Sequence, residues 1–370
     1  MKDLGLYIHI PFCLSKCRYC DFCSFPHPKP DNVKKYIDSL FCEIEEYGKV
    51  YSEYNVTTVY FGGGTPTLLR ACELSSLLEA VKANFTVDEN AEISVECNPA
   101  TADLEYFKTL INGGFNRLSI GVQSMIDGEL KLLGRLHKAS DARQAVCDGR
   151  LAGFKNISLD VMYGIPDQTE ESLEATLEAI CELEPDHVSL YGLKIEEGTH
   201  FAKHRDKLTL PDEDAEYRMY MASTKFLASM GYKKYEISNF SKEGKESRHN
   251  LKYWRRQDYL GLGLAAHSCI GNVRFSNTCD VEKYLLADKL DTREEISPHD
   301  VICEEIMLGM RLCEGVDFSA FKSDCSLYEK KLEAFSSSGH IKKSGNSLSF
   351  TDEGMYVSNY ILSEVLDFEN

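Results

Sequence analysis

Up to about residue 195 the chain repeats one pattern, a short apolar run followed by a stretch of helical period. The apolar runs are residues 4–10, 56–61, 92–96, 117–121, 157–163 and 187–193, and the amphipathic stretches are 32–47, 74–83, 103–111, 139–152 and 170–183. Runs this short predict strands, and regular alternation with helices predicts βα units around a parallel sheet. Six parallel strands joined by right-handed crossovers close about three quarters of an eight-stranded barrel. The expected fold class is therefore α/β, a partial (βα)6 barrel, with its chemistry at the carboxyl ends of the strands.

The pattern changes beyond the sixth unit. Residues 211–230 predict a further helix, 232–239 an extra strand extending the sheet, and 240–277 a loop-rich stretch that carries the only tryptophan, Trp254. After Pro298, helical stretches at 300–311 and 328–336 precede two short extended runs, 341–343 and 347–350, around Gly345. Helices followed by a hairpin predict an α+β, winged-helix-like module. The expected organisation is a barrel over 1–240, a connecting segment over 241–297 and the C-terminal module over 298–370. The Lys342-Lys343 wing reads as a solvated turn.

Charge and hydropathy narrow the functions. A net charge of −18 with no basic stripe argues against nucleic acid. No run approaches the roughly 20 apolar residues of a membrane span, and no export signal opens the chain, so a soluble, cytoplasmic protein is expected. The 14 cysteines then read as thiols. Cys42, Cys72, Cys147, Cys181, Cys303 and Cys313 lie at helical positions and are read as packed side chains.

Cys13, Cys17 and Cys20 are different. They follow the first strand in a loop opened by Pro11, and gaps of three and two residues let their thiolates converge on one metal centre. Three ligands leave one iron of a cubane without a protein ligand. Zinc is the rival, but a structural zinc site takes four ligands and a catalytic one usually includes histidine. His9, the nearby histidine, falls within a strand and is read as a core or supporting residue.

Other polar residues gather at strand ends. Gly62-Gly63-Gly64-Thr65-Pro66 follows the second strand, where glycines permit close backbone approach to a ligand, or simply a tight turn. The Gly-Lys-Ser/Thr of a phosphate loop is absent. Glu96, Gln123 and Asp160 lie at the ends of strands three, four and five, where a barrel mouth would use them as ligand contacts, and Arg135 stands near enough to pair with a carboxylate. His249-Asn250-Leu251-Lys252-Tyr253-Trp254, followed by the Gly261 to Ser268 stretch containing His267, would suit a flat aromatic ligand such as a porphyrin or a packed aromatic cluster.

These motifs together resemble a known family. The segment from Tyr7 through Cys13, Cys17 and Cys20 to Phe22, then Phe61 to Thr67, Glu96 to Pro99 and Ser119 to Ser124, is similar to the radical SAM family of oxygen-independent coproporphyrinogen III oxidase and its haem-chaperone relatives. The resemblance covers nearly the whole chain. It implies a radical SAM barrel whose Cys13, Cys17 and Cys20 bind a [4Fe-4S] cluster. It also implies that Tyr7, Tyr19, Gly63, Gly64, Thr65, Glu96, Gln123, Arg135 and Asp160 line the S-adenosylmethionine (SAM) region, in part matching a second SAM site of the oxidase. An electron donor such as flavodoxin or ferredoxin would serve the cluster.

Two departures separate the branches. The oxidase resembles this chain but carries a long extension before its cysteines and a fourth cysteine two residues after the third. Here twelve residues precede Cys13, and Phe22 occupies the second position, with Cys23 one later. The His-Asn-x-x-Tyr-Trp segment is similar to that of the chaperone branch, which implies haem contacts at His249 and Trp254 and delivery of haem to respiratory haem proteins, with peripheral membrane contact left open. The expected function is haem chaperone, with the decarboxylating oxidase as alternative. A haem carrier could use SAM as a switch, and the residues leave open whether SAM cleavage is coupled to substrate chemistry.

Overall fold

The computed structural model describes residues 1–368. Strands β1 (Lys2–Ile10), β2 (Tyr54–Gly63), β3 (Thr86–Cys97), β4 (Arg117–Gln123), β5 (Ile157–Tyr163) and β6 (His187–Gly192) stand side by side in that order, every neighbouring pair parallel. The expected α/β fold is the one observed. Helices Pro30–Val50, Ala71–Asn84, Leu104–Gly113, Ala139–Ala152 and Glu170–Cys181 make crossovers between them. The third begins where the Asp103 carboxylate accepts the Tyr106 amide and ends at Gly114, whose φ of 102° suits a residue without Cβ.

Period-two alternation divides the sheet into an apolar and a polar face. On β1, Leu4, Leu6, Ile8 and Ile10 are buried against the helices, while Gly5, Tyr7 and His9 take the alternate positions. Parallel register carries the second set across the sheet: Tyr7 pairs with Tyr60, Tyr60 with Ser94, Glu96 with Ser119, and Asp160 with Ser189. The result is a polar lumen walled by an apolar layer.

Residues 240–277 differ from the loop-rich expectation. They and the segment up to Glu295 contain the helix Arg248–Trp254 and strands β9 (Tyr259–Leu262), β10 (His267–Ile270), β11 (Val273–Asn277) and β12 (Leu290–Glu295). β9 pairs parallel with the free edge of β1, and β10, β11 and β12 continue the sheet antiparallel. The expected connecting segment therefore shares the barrel's core, to which it contributes Leu260, Leu262, Leu264, Phe275 and Tyr284. At the other edge, the expected extra strand is two short ones, β7 (Lys233–Lys234) and β8 (Asn239–Ser241), antiparallel to each other, with β8 also antiparallel to β6.

Two anchors hold the added strands. The Glu43 carboxylate, fully buried, accepts from the Gly263 amide at 3.0 Å, Asn277 Nδ2 at 2.6 Å and the Tyr284 hydroxyl at 2.5 Å. Glu304 accepts from Arg256 at 2.9 Å and Arg274 at 2.7 Å, which ties the C-terminal module to them. That module has its own core around Ile306, Met310, Leu332, Leu348 and Phe350, with helices Pro298–Gly309 and Ser326–Glu333 and a small sheet, β13 (Val316–Asp317), β15 (Ser347–Phe350) and β14 (Ile341–Ser344). Among the described residues, no helix is long and apolar enough to cross a membrane.

Candidate metal centre and ligand mouth

The thiol loop leaves the carboxyl end of β1 and folds back over the mouth. Its base is a two-residue parallel pairing of Phe12–Cys13 with Phe25–Pro26. Donors face the thiols. Thr65 Oγ1 lies 3.7 Å from Cys13 Sγ, Arg135 Nη1 lies 3.6 Å from Cys17 Sγ, and the Phe22 amide faces Cys20. Burial pushes the Cys13 and Cys20 thiols up, so their thiolates call for a compensating positive centre. Donors aimed at sulfur are how a protein tunes an iron-sulfur cluster.

The spacing also bears on zinc. One tetrahedral zinc at about 2.3 Å from each thiolate would hold sulfurs about 3.8 Å apart. Among the described residues, the set whose three donor atoms lie within 4.8 Å of one another is elsewhere, His299, Cys303 and Asp367. A cubane instead seats each thiolate on its own iron.

Arg135 joins the loop to the sheet. Its Nη2 donates to the Gly121 carbonyl at 2.5 Å and to Asn98 Oδ1 at 3.1 Å, while Nη1 reaches Cys17. The expected carboxylate partner is replaced by these groups. Leu14, Ser15, Cys17, Thr65, Asn98 and Arg135 line a small cleft there. Tyr19 lies beside the guanidinium, and burial holds its hydroxyl above the ordinary range.

The other expected residues surround the lumen. Glu96 accepts from the Tyr60 hydroxyl at 2.8 Å and the Gly63 amide at 3.1 Å, and burial pushes its carboxyl up to about 7. Asp160, also raised by burial, accepts from Ser119 at 3.3 Å. Gln123 has a φ of 70° at the end of β4 and accepts from the Tyr191 hydroxyl at 2.5 Å. Such a conformation is uncommon in a non-glycine residue, and the bond from Tyr191 holds the amide in place. Tyr7 meets His9 Nδ1 at 3.0 Å, and His9 Nε2 meets the Cys23 carbonyl at 2.9 Å, so His9 braces the far end of the loop. Cys23 itself turns toward the Cys279 carbonyl, 3.9 Å from its sulfur.

The glycines serve the protein's own packing. A Cβ on Gly63 would lie 2.5 Å from the His9 ring, and one on Gly64 would lie 2.7 Å from the Phe12 carbonyl oxygen. Both let the second strand end press against the thiol loop.

The structure separates His249 from the mouth. Helix Arg248–Trp254 enters the lumen from the amino-terminal ends of the strands, and Glu92 accepts the amides of Arg248 and His249 at 3.1 and 3.0 Å. His249 is 1% exposed and stacks on Tyr60 at 5.2 Å. Its Nδ1 meets Thr58 Oγ1 and its Nε2 meets the Tyr253 hydroxyl, both at 2.8 Å. An axial role would require breaking one of these bonds and opening the barrel floor. Trp254 stacks with Arg311 at 4.6 Å, and its buried Nε1 has no partner. His267 is exposed on β10.

Several contributors escaped the sequence-based expectation. Tyr60 and Arg117 occupy luminal positions that period-two alternation from Gly62 and Ser119 would have found. Asn98 and Tyr191 gave no such signal, since their roles arise only from contacts with Arg135 and Gln123.

Comparison with known proteins agrees with this geometry. Residues 7–180 match the Radical SAM superfamily, and residues 296–357 match the HemN C-terminal domain. Heme chaperone HemW of Haemophilus influenzae is 34% identical, with 100% of this chain and 99% of the relative covered. The chain belongs to the radical SAM family of HemW heme chaperones. HemW proteins of Bacillus subtilis and Escherichia coli are 35% and 33% identical, covering 97% and 98% of this chain and 98% of each relative. The solved structure of coproporphyrinogen III oxidase (HemN) from Escherichia coli, a radical SAM enzyme, has a TM-score of 0.85 at 26% identity and covers 98% of this chain and 89% of its own. HemW membership implies a [4Fe-4S] cluster and SAM, and the donor set at the mouth fits both.

Proposed function

We propose that this protein is a haem chaperone that binds haem and passes it to respiratory haem proteins, with a [4Fe-4S] cluster on Cys13, Cys17 and Cys20 and SAM at the mouth. One observation carries the placement of the site: Arg135 ties Cys17 to Gly121 and Asn98, so the thiols stand over the polar lumen. Full-length similarity to heme chaperones supports the choice over the oxidase, as does the contact of the Cys23 thiol with the Cys279 carbonyl.

Bound there, the cluster supplies one-electron reduction of the SAM sulfonium. The chain's own residues hold and orient. Thr65 and Arg135 donate to two thiolates, Glu96 offers carboxylate lone pairs toward the ligand's polar groups, and Gln123 and Asp160 set the far wall. Tyr7, Tyr60 and the helix Arg248–Trp254 close the lumen below and keep bulk water from that side.

For haem, His267 is the better axial candidate of the two histidines, because its ring is exposed whereas both His249 nitrogens are engaged. The test is an anaerobic titration of haem into the cluster-loaded protein, followed by the Soret band, for wild type and His267→Ala. Wild type should bind haem and the variant should weaken. Incubation with coproporphyrinogen III, SAM and reductant should yield no protoporphyrinogen, and clear turnover would favour the oxidase.

A further inference from the structure

A second set of metal-ligating side chains lies far from the thiol loop in sequence, in the C-terminal module. His299 and Cys303 share one face of the helix Pro298–Gly309, four residues apart, and Asp367 comes back to them from the end of the chain. His299 Nε2 is the hub, 3.8 Å from Cys303 Sγ and 3.7 Å from Asp367 Oδ1. The Tyr328 hydroxyl stands 3.4 Å from the same nitrogen, 3.6 Å from the Cys303 sulfur and 2.5 Å from Asp367 Oδ1.

These distances can be compared with those around a metal. A tetrahedral ion with bonds of about 2.05 Å to nitrogen and oxygen and about 2.3 Å to sulfur sets N···S at about 3.6 Å and N···O at about 3.4 Å. The observed separations exceed these by a few tenths of an ångström, so small side-chain movements suffice. Charge also matches: a thiolate, a carboxylate and a neutral imidazole around a divalent ion sum to zero, which suits a partly buried place. Cys303 is fully buried and Asp367 exposed, so an ion would have protein on one side and water on the other.

We propose that His299, Cys303 and Asp367 form a divalent transition-metal site of the zinc type, with a water or the Tyr328 hydroxyl at the fourth position. A mixed sulfur, nitrogen and oxygen set selects zinc over calcium or magnesium. Binding displaces the Cys303 thiol proton to solvent and places the imidazole proton on Nδ1, and His299 Nε2 exchanges its 2.7 Å contact with the Asp367 carbonyl for the ion. The ion would pin the end of the chain to the first helix of the module.

The test uses the cluster-loaded, desalted protein titrated anaerobically with Co²⁺, then challenged with Zn²⁺. Wild type should take up one equivalent with a thiolate-to-cobalt charge-transfer band that Zn²⁺ removes. Cys303→Ser should lose the band. Asp367→Asn keeps every thiol and alters an exposed side chain, so it decides the matter even if the buried serine unfolds the module. It and His299→Ala should weaken Co²⁺ at least about tenfold, the lower end of what even indirect contacts to a metal contribute. Absence of the band in wild type, or an identical titration in Asp367→Asn and His299→Ala, would overturn the site.

Discussion

Replacing His249 by alanine separates a structural role from a ligand role. The imidazole is 1% exposed, stacks on Tyr60 and occupies the hydroxyls of Thr58 and Tyr253. Its removal leaves two buried hydroxyls without that partner, at about 1–3 kcal/mol each. It also leaves a cavity of the kind that costs about 2–5 kcal/mol in a core. Partial re-pairing of the hydroxyls reduces the sum, so the expected loss is about 3–6 kcal/mol. With m about 3 kcal/mol/M for a chain of this size, the urea midpoint of the barrel transition should fall by about 1–2 M. Burial holds the His249 imidazole down to about 3, so it stays neutral in the folded barrel while the unfolded chain's imidazole, near 6.5, takes up a proton as pH falls; the loss on substitution should therefore be smaller at pH 6 than at pH 8, by about 0.8 kcal/mol. In the same preparation, below its transition, haem affinity should match wild type. A midpoint shift under about 0.3 M together with loss of the Soret change would refute this reasoning and return His249 to the iron.

Four other outcomes follow from the site and its anchors. Alanine at Cys13, Cys17 or Cys20 should abolish the brown cluster absorption, whereas Cys23→Ala should keep most of it; cluster loss in Cys23→Ala alone would reassign the ligands. Glu96 titrates near 7 because of its burial, so SAM binding followed by calorimetry should strengthen from pH 6 to 8 in wild type and stay flat in Glu96→Gln. A carboxyl raised in the folded state contributes stability at low pH that is lost as pH rises from about 4.5 toward 7, so the apo-protein's midpoint should fall over that window less in Glu96→Gln than in wild type. Glu304→Ala leaves the buried Arg256 without its carboxylate and should cost about 3–5 kcal/mol, read as earlier unfolding of the C-terminal module in a thermal scan.

Sequence by itself determined the six parallel strands, because each is a local apolar run whose alternation and helical neighbours need no distant partner to be read. It determined the thiol loop for the same reason, since three cysteines within eight residues are a local fact. The two-stranded wing around Gly345 was legible from its turn. Tertiary structure decided the rest. Strands β9 to β11 are four or five residues long and glycine-punctuated, too short to declare themselves, and they exist because β1 has a free edge and Glu43 supplies a buried carboxylate to hold Gly263 and Asn277. His249 changed meaning in the same way: its motif suggested a ligand, but the helix that carries it occupies the barrel floor, where hydrogen bonds to Thr58 and Tyr253 take both nitrogens. Cys303 is the packed thiol its helical position predicts, and only the fold shows Asp367 beside it. A partner far along the chain cannot be read from local pattern, because the pattern records which face a residue takes and not what folds against that face.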